Sequence, residues 1–309
     1  MTDKQAQACP CSQARTNDQV KQAKPDWLRV KYKQTETKAI QNLMDQLSLN
    51  TVCRAANCPN LGECFKSRTA TFMIMGDICT RNCSYCNVAT GRPLPLDPEE
   101  PRHVAEAAKE LGLKHLVVTS VDRDDLPDGG ASHFADMIYQ TKKLCPETTI
   151  EVLIPDFKGN PEALQVVLEA GPDVLNHNIE TVREVFPIVR RQGSYDLSLE
   201  LLARAKKYAE THDNLPLIKS GFMVGLGETD QQITRLFQDL HTAGCDIVTI
   251  GQYLQPTRRH HPLARYVTPE EFEAYRQEAM AIGFSFVAAS PLVRSSYKAA
   301  EALDKARQK

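Results

Sequence analysis

The sequence predicts an α/β protein: a partial, open β/α barrel of six strands, with an N-terminal extension and a short C-terminal tail. Three observations predict it. Short β-branched and apolar runs alternate with amphipathic stretches, the pattern of parallel strands joined by crossover helices. The spacing is even, since the first candidate strand starts near residue 71 and the sixth near 247, so five repeats average about 35 residues. Eight such units would run past residue 309, so a closed eight-fold barrel of about 250 residues fits poorly. Two doubly wound domains are the alternative, but no Pro/Gly/Ser-rich linker divides the chain.

Taken in order, residues 1–24 are polar and rich in Gln and Lys, as in a disordered tail. Residues 25–68 form the extension, with a helical pattern over Lys38–Leu47 and then the loop TVCRAANCPNLGECF. The barrel spans 69–285. Its strands are expected at Thr71–Met75, His115–Thr119, Thr149–Ile154, Val174–Asn178, Ile218–Val224 and Ile247–Gln252. Helical periodicity separates them at Pro101–Leu111, His133–Leu144, Pro161–Glu169, Asp196–Glu210 and Asp230–Ala243, with a last helix at Pro269–Ile282. A short apolar run, Phe284–Ala289, leads into the tail, residues 286–309.

Charge and cysteine content narrow the function. With 37 Lys+Arg against 39 Asp+Glu, no global positive field favours nucleic acid. No run approaches the roughly 18 apolar residues of a membrane helix. The polar first twenty residues lack a signal-peptide core, so a cytoplasmic location is expected. In a reducing compartment clustered cysteines are metal ligands or catalytic groups before they are disulfides. Six of the ten cysteines fall between positions 53 and 86.

Cys79, Cys83 and Cys86 stand in GDICTRNCSYCNV directly after the first strand, spaced C-x3-C-x2-C, with Tyr85 before the last. Three thiolates on one loop can hold three irons of a [4Fe–4S] cube and leave the fourth open to a ligand, whereas electron-transfer cubes carry four cysteines. The loop also lies where barrel chemistry occurs, at a strand's C-terminal end. Structural zinc is the alternative, but it prefers four ligands in two pairs.

These residues resemble the radical S-adenosylmethionine superfamily. The resemblance implies that the open iron binds the cofactor's amine and carboxylate, and that one electron cleaves the cofactor to a 5′-deoxyadenosyl radical. It also implies that SGFMVGLGET, with Gly225, Gly227 and Glu228, is the adenine-side strand end. Polar residues at two other strand exits are candidate cofactor contacts: Thr119, Ser120, Asp122 and Arg123 in TSVDRDD, and Asn176, Asn178 and Glu180 in NHNIET. Capping or turn-making is the alternative role for each.

Cys53, Cys58 and Cys64 form a second triplet, C-x4-C-x5-C, suited to zinc or to a second cluster. Together with KPDWLRVK, CPNLGEC, VTSVDRDDLPDGGA, NHNIETV and Arg294–Ser295–Ser296–Tyr297, it resembles the lipoyl synthase family from about Trp27 to Lys298. Arg54, Ala55 and Phe65 depart from the family's usual residues, but no ligand is lost. The resemblance implies two [4Fe–4S] clusters, with Ser296 as the fourth ligand of the auxiliary one. A hard alkoxide on iron is a poorer partner than thiolate and leaves more readily. It further implies a sulfurtransferase of lipoate biosynthesis that consumes two S-adenosylmethionine per product. Sulfur from the auxiliary cluster is inserted at C6 and C8 of an octanoyl-lysine on a lipoyl-domain protein, and a donor such as ferredoxin or flavodoxin supplies electrons.

Such a partner needs a docking surface, and TRRHHPLARY (257–266) with Arg190 and Arg191 is locally basic, suited to an acidic domain. Two rivals stand beside this reading: sulfur insertion into a free small molecule, as in biotin synthase, and a zinc protein that binds nucleic acid. Cys9, Cys11, Cys145 and Cys245 have no assigned role, with Cys245 expected in the core.

Overall fold

In the computed structural model the described residues are 23–29, 44–47, 49–51, 60, 69–212 and 216–308. Residues 1–22 of the expected disordered tail, most of the Lys38–Leu47 helix and all three cysteines of the second triplet lie outside them, although 44–46 are helical.

In chain order the strands are β1 (Asn50–Thr51), β2 (Thr69–Ile74), β3 (Ile78–Cys79), β4 (Ala89–Thr90), β5 (His115–Ser120), β6 (Thr149–Leu153), β7 (Val174–Asn176), β8 (Leu217–Val224), β9 (Ile247–Gln252) and β10 (Phe286–Ala289). The helices are α1 (Glu100–Glu110), α2 (Ala131–Leu144), α3 (Pro161–Glu169), α4 (Phe186–Val189), α5 (Tyr195–Thr211), α6 (Asp230–Thr242), α7 (Pro269–Ile282) and α8 (Ala299–Arg307). All six expected barrel strands are present within a few residues of their expected bounds. The sheet order is β1-β2-β5-β6-β7-β8-β9-β10, so it is longer at both edges than the six strands read from the sequence. β10 continues it in parallel beside β9, and β1 closes the other edge antiparallel to β2. Among the described residues the two edges are not paired with each other, as in an open barrel.

The strands are buried on both faces, which is why they read as continuous apolar runs rather than alternating ones. Val117, Val118, Val152, Leu175, Ile218, Val248 and Ile250 are all at most 1% exposed. Local chemistry starts the helices. Asn160 caps α3 through Glu162 and Ala163, with Pro161 at its first position. Thr229 and Thr268 form capping boxes with Gln232 and Glu271 for α6 and α7.

Parallel register places the exits of β2 and β5–β10 on one rim, with Ile74 beside Ser120 and Val224 beside Gln252. Inside the barrel, three strands contribute an ionic layer: Lys219 Nζ donates to Glu151 at 2.8 and 2.9 Å, and Asn176 Nδ2 donates to the same carboxylate at 3.1 Å. Burial alone would raise the Glu151 pKa, but Lys219 and His115 together outweigh it and the net shift is downward.

His177, buried just past β7, has Nδ1 2.8 Å from the Ile154 carbonyl and Nε2 3.1 Å from Ser198 Oγ. Burial, with the Arg190 charge, pushes its pKa down from 6.5 to about 4. Below the unfolded value only the unfolded chain takes up this proton, so stability is lost as pH falls from 6.5 towards 4. The apoprotein is expected to be about 2 kcal/mol less stable to urea at pH 5 than at pH 7. His177→Gln should flatten that slope, and an equal slope in both proteins would exclude His177 as its source.

Candidate active site

The first cysteine triplet lies on a loop that β3 and β4 close into a ring, pairing Ile78 with Ala89 and Cys79 with Thr90. Partners from most of the rim hold it. Ser84 N–H donates to the Val189 carbonyl, Asn82 N–H to Gln192, and His261 N–H to the Ser84 carbonyl. His260 Nε2 lies 2.9 Å from the Cys86 carbonyl and His261 Nε2 lies 3.1 Å from the Leu226 carbonyl. Two residues of the 257–266 segment therefore face inward, binding the cysteine loop and the glycine turn after β8.

Arg81, between the first two cysteines, is the deepest anchor. Its side chain is 1% exposed and forks onto Asp124 (2.8 and 2.8 Å) and Asp156 (2.7 and 2.6 Å). Burial opposes ionisation of Asp156, but the hydrogen bonds and charge of Arg81 dominate and hold it below the usual carboxylate range. Arg190 sits beside this cluster, 5% exposed, with Nη2 3.6 Å from Asp156 and Nη1 donating to the Asn178 carbonyl. The expectation that Arg190 joins a basic docking surface is thereby corrected: a buried carboxylate needs a partner more than the surface does. Arg191, Arg258 and Arg259 stay exposed.

The thiols feel one another and their surroundings. Burial, reinforced by the Asp122 charge, raises Cys79 to about 11; burial raises Cys83 to about 12 and Cys86 upward. Ligation thus requires the thiols to give up protons they hold firmly when unligated. Cys79 Sγ accepts from Asp122 N–H at 3.3 Å and Arg81 N–H at 3.4 Å, and lies 3.6 Å from Asp122 Oδ2. Backbone donors to a ligand sulfur are of the kind that tunes iron–sulfur clusters.

The expected cofactor contacts divide into two groups. Protein atoms occupy the first. Thr119 donates to the Leu153 carbonyl, Arg123 to Asp125 and the Met75 carbonyl, and the Asn176 amide to Glu151. Both oxygens of Glu228 accept from its own turn, from Gly225 N–H and Leu226 N–H. Gly225 has φ +96°, and a Cβ there would overlap Gln252 Nε2, so that turn admits only glycine. The second group keeps buried oxygens without a hydrogen-bond partner: Ser120 Oγ, Asn178 Oδ1 and Asp122 Oδ1, the last 3.5 Å from Arg81 Nε. Asn176 straddles the two, since its amide is used but its Oδ1 is also unpartnered. Glu180, at φ +70° and bridged to Phe222, is pushed up in pKa by burial while interacting with Arg190, Asn178 and Tyr85. Tyr85, Asp156 and Arg81 were not singled out as contacts from the sequence, and only Tyr85's place beside a cysteine gave any signal.

The donor set fits an iron–sulfur cube with an open corner. Three thiols on one loop supply three ligands, one short of the four that a structural zinc site prefers. Buried unpartnered oxygens at the strand exits, one of them on the Asp122 carboxylate that lies against Cys79, suit a polar cofactor beside the cube. Ser296 is half-buried, on the segment between β10 and α8, and Cys145 and Cys245 lie away from the loop, Cys245 in the core.

Comparison with known proteins agrees. Residues 73–240 match the family model described as the radical SAM superfamily. A lipoyl synthase from Caldanaerobacter subterraneus subsp. tengcongensis is 55% identical over 284 residues, covering 92% of this chain and 98% of that one. The chain belongs to the lipoyl synthase family. A lipoyl synthase of Bacteroides thetaiotaomicron is 52% identical over 280 residues, 89% of this chain and 96% of that one. Among solved structures, Streptococcus suis SuiB bound to precursor peptide SuiA shares the fold at TM-score 0.55 and 10% identity, over 75% of this chain and 52% of that one. Family membership excludes the nucleic-acid-binding zinc protein and places the chemistry with radical sulfur insertion dependent on S-adenosylmethionine and [4Fe–4S] clusters.

Proposed function

We propose that Cys79, Cys83 and Cys86 hold the radical-generating cluster, and that Cys53, Cys58, Cys64 and Ser296 hold the sulfur-donating one. The observation that carries the first assignment is the loop of three thiols with the buried Asp122 against Cys79; the second is supported by membership of the lipoyl synthase family. When bound, the first cluster and S-adenosylmethionine supply a carbon-centred oxidant that removes hydrogen from C6 and C8 of an octanoyl chain, two cofactor molecules per product, and the second cluster supplies the sulfur.

The chain's own residues then have distinct tasks. Ser120, Asp122, Asn178 and Glu180 hold the cofactor's polar groups. The Gly225–Glu228 turn lets backbone approach the adenine side. Arg81 keeps the thiol loop in place, and burial excludes water from a radical that would otherwise be quenched. Residues 25–68 carry the auxiliary cysteines, 69–285 the radical core and 286–309 the auxiliary serine.

The substrate is an octanoylated lipoyl-domain protein, the reductant a ferredoxin or flavodoxin, and the compartment the cytoplasm. Among the described residues no helix is long and apolar enough to cross a membrane. Exposed Arg258 and Arg259, beside the His260 and His261 that hold the thiol loop, and exposed Arg191 and the 52%-exposed Ile188, near the Val189 that also contacts it, suit an acidic carrier with an apolar contact. Anaerobic turnover with an octanoyl carrier domain and with an octanoyl-lysyl peptide, read by mass, tests this. Both should gain two sulfurs, and the carrier's KM should rise roughly tenfold between low and 0.5 M salt while the peptide's changes little. Product from neither acceptor would refute the substrate assignment, and a salt-independent carrier KM would refute the docking face.

A further inference from the structure

We propose that Asn60 and Gly251 are positioning residues that fix Pro291–Val293 and so set where Ser296 can reach to join Cys53, Cys58 and Cys64 on one cluster. The inference rests on the reading of those four residues as ligands of one cluster.

Asn60 stands two residues after Cys58 and four before Cys64 in CPNLGEC. It is 5% exposed, and its Nδ2 donates 2.6 Å to the carbonyl of Leu292, four residues before Ser296. The bond therefore joins the N-terminal extension to the C-terminal segment through one buried amide. From the other side, Gln252 N–H lies 3.4 Å from the Pro291 carbonyl at the end of β9. At Gly251 a Cβ would overlap the Val293 carbonyl oxygen and meet the Val293 carbonyl carbon at 3.2 Å. Pro291–Val293 is thus held between a β9 position that tolerates no side chain and the Asn60 amide.

The chemistry explains why a device is needed. An alkoxide is a poor match for iron in a sulfur cluster and brings little affinity to draw a segment in from solution. Four residues span at most about 14 Å of chain, so the docking point of Leu292 decides where the Ser296 hydroxyl can reach. Fixing that point in advance replaces binding energy that the serine lacks.

Three variants test the clamp: Asn60→Asp, which keeps the shape but removes the donor, Gly251→Ala, and Cys53→Ala as reference. In the apoprotein, trypsin should cut at Arg294 and Lys298 roughly tenfold faster in the first two than in the parent, because the segment opens locally. After anaerobic reconstitution all three should fall from about eight to about four irons per chain. Deoxyadenosine release should be retained, showing that the barrel and the first cluster are intact. If Cys53→Ala fell to about four irons while the other two kept about eight and digested at the parent rate, the clamp alone would be refuted. If Cys53→Ala also kept about eight, the ligand reading would fall and the clamp with it.

Discussion

Cys79→Ala is expected to abolish cleavage of S-adenosylmethionine, whereas Cys53→Ala should leave cleavage intact and lose the lipoyl product. Cys79 supplies one of only three protein ligands to its proposed cluster, and Asp122 N–H and Arg81 N–H both converge on its sulfur. Losing an outer-shell partner of a metal ligand costs about 10–100-fold in affinity or activity. Loss of the ligand itself should therefore exceed about a hundredfold. The other triplet has a different task, so its loss should separate radical production from sulfur insertion. Deoxyadenosine release and lipoyl product, measured in one reaction, read the two steps. Lipoyl product from Cys53→Ala would remove the second triplet from the sulfur-donating role, and cleavage by Cys79→Ala would remove the first from the radical role.

Arg81→Met should destabilise the apoprotein by about 3–5 kcal/mol, the cost of leaving a buried charge without its partner. The guanidinium forks onto two carboxylates, one of them, Asp156, only 1% exposed, and Arg190 at 3.6 Å is too distant to replace it. Lysine at 81 should recover little, since an ammonium cannot bridge two carboxylates in that planar geometry. The double variant with Asp156→Leu should recover part of the loss, because it removes the stranded charge. Urea unfolding measures all three. A single variant within about 1 kcal/mol of the parent would show that Arg81 is not the anchor of the loop.

The barrel was legible in the sequence because parallel strands must be apolar on both faces and their crossovers impose even spacing. Val117–Val118 and Ile247–Val248 show that signature plainly. The edge strands were harder to read. Asn50–Thr51 has only two residues, and Phe286–Ala289 carries its meaning only beside β9. The roles of Glu228 and Arg190 were also hidden, because a carboxylate that holds its own turn and one that faces a ligand look the same in sequence. His260 and His261 read as part of a basic surface, since nothing local shows that they turn toward the cysteine loop.

By itself the sequence determined the order of strands and helices, the two cysteine triplets and the family, because each depends on local spacing. Tertiary structure alone decided which polar side chains are consumed by the protein and which keep unpartnered oxygens. It also decided how Asn60, some 230 residues distant in sequence, comes to rest on Leu292. The physical reason is that a hydrogen bond's partner is chosen by packing, and packing brings together groups whose separation along the chain carries no trace of their contact.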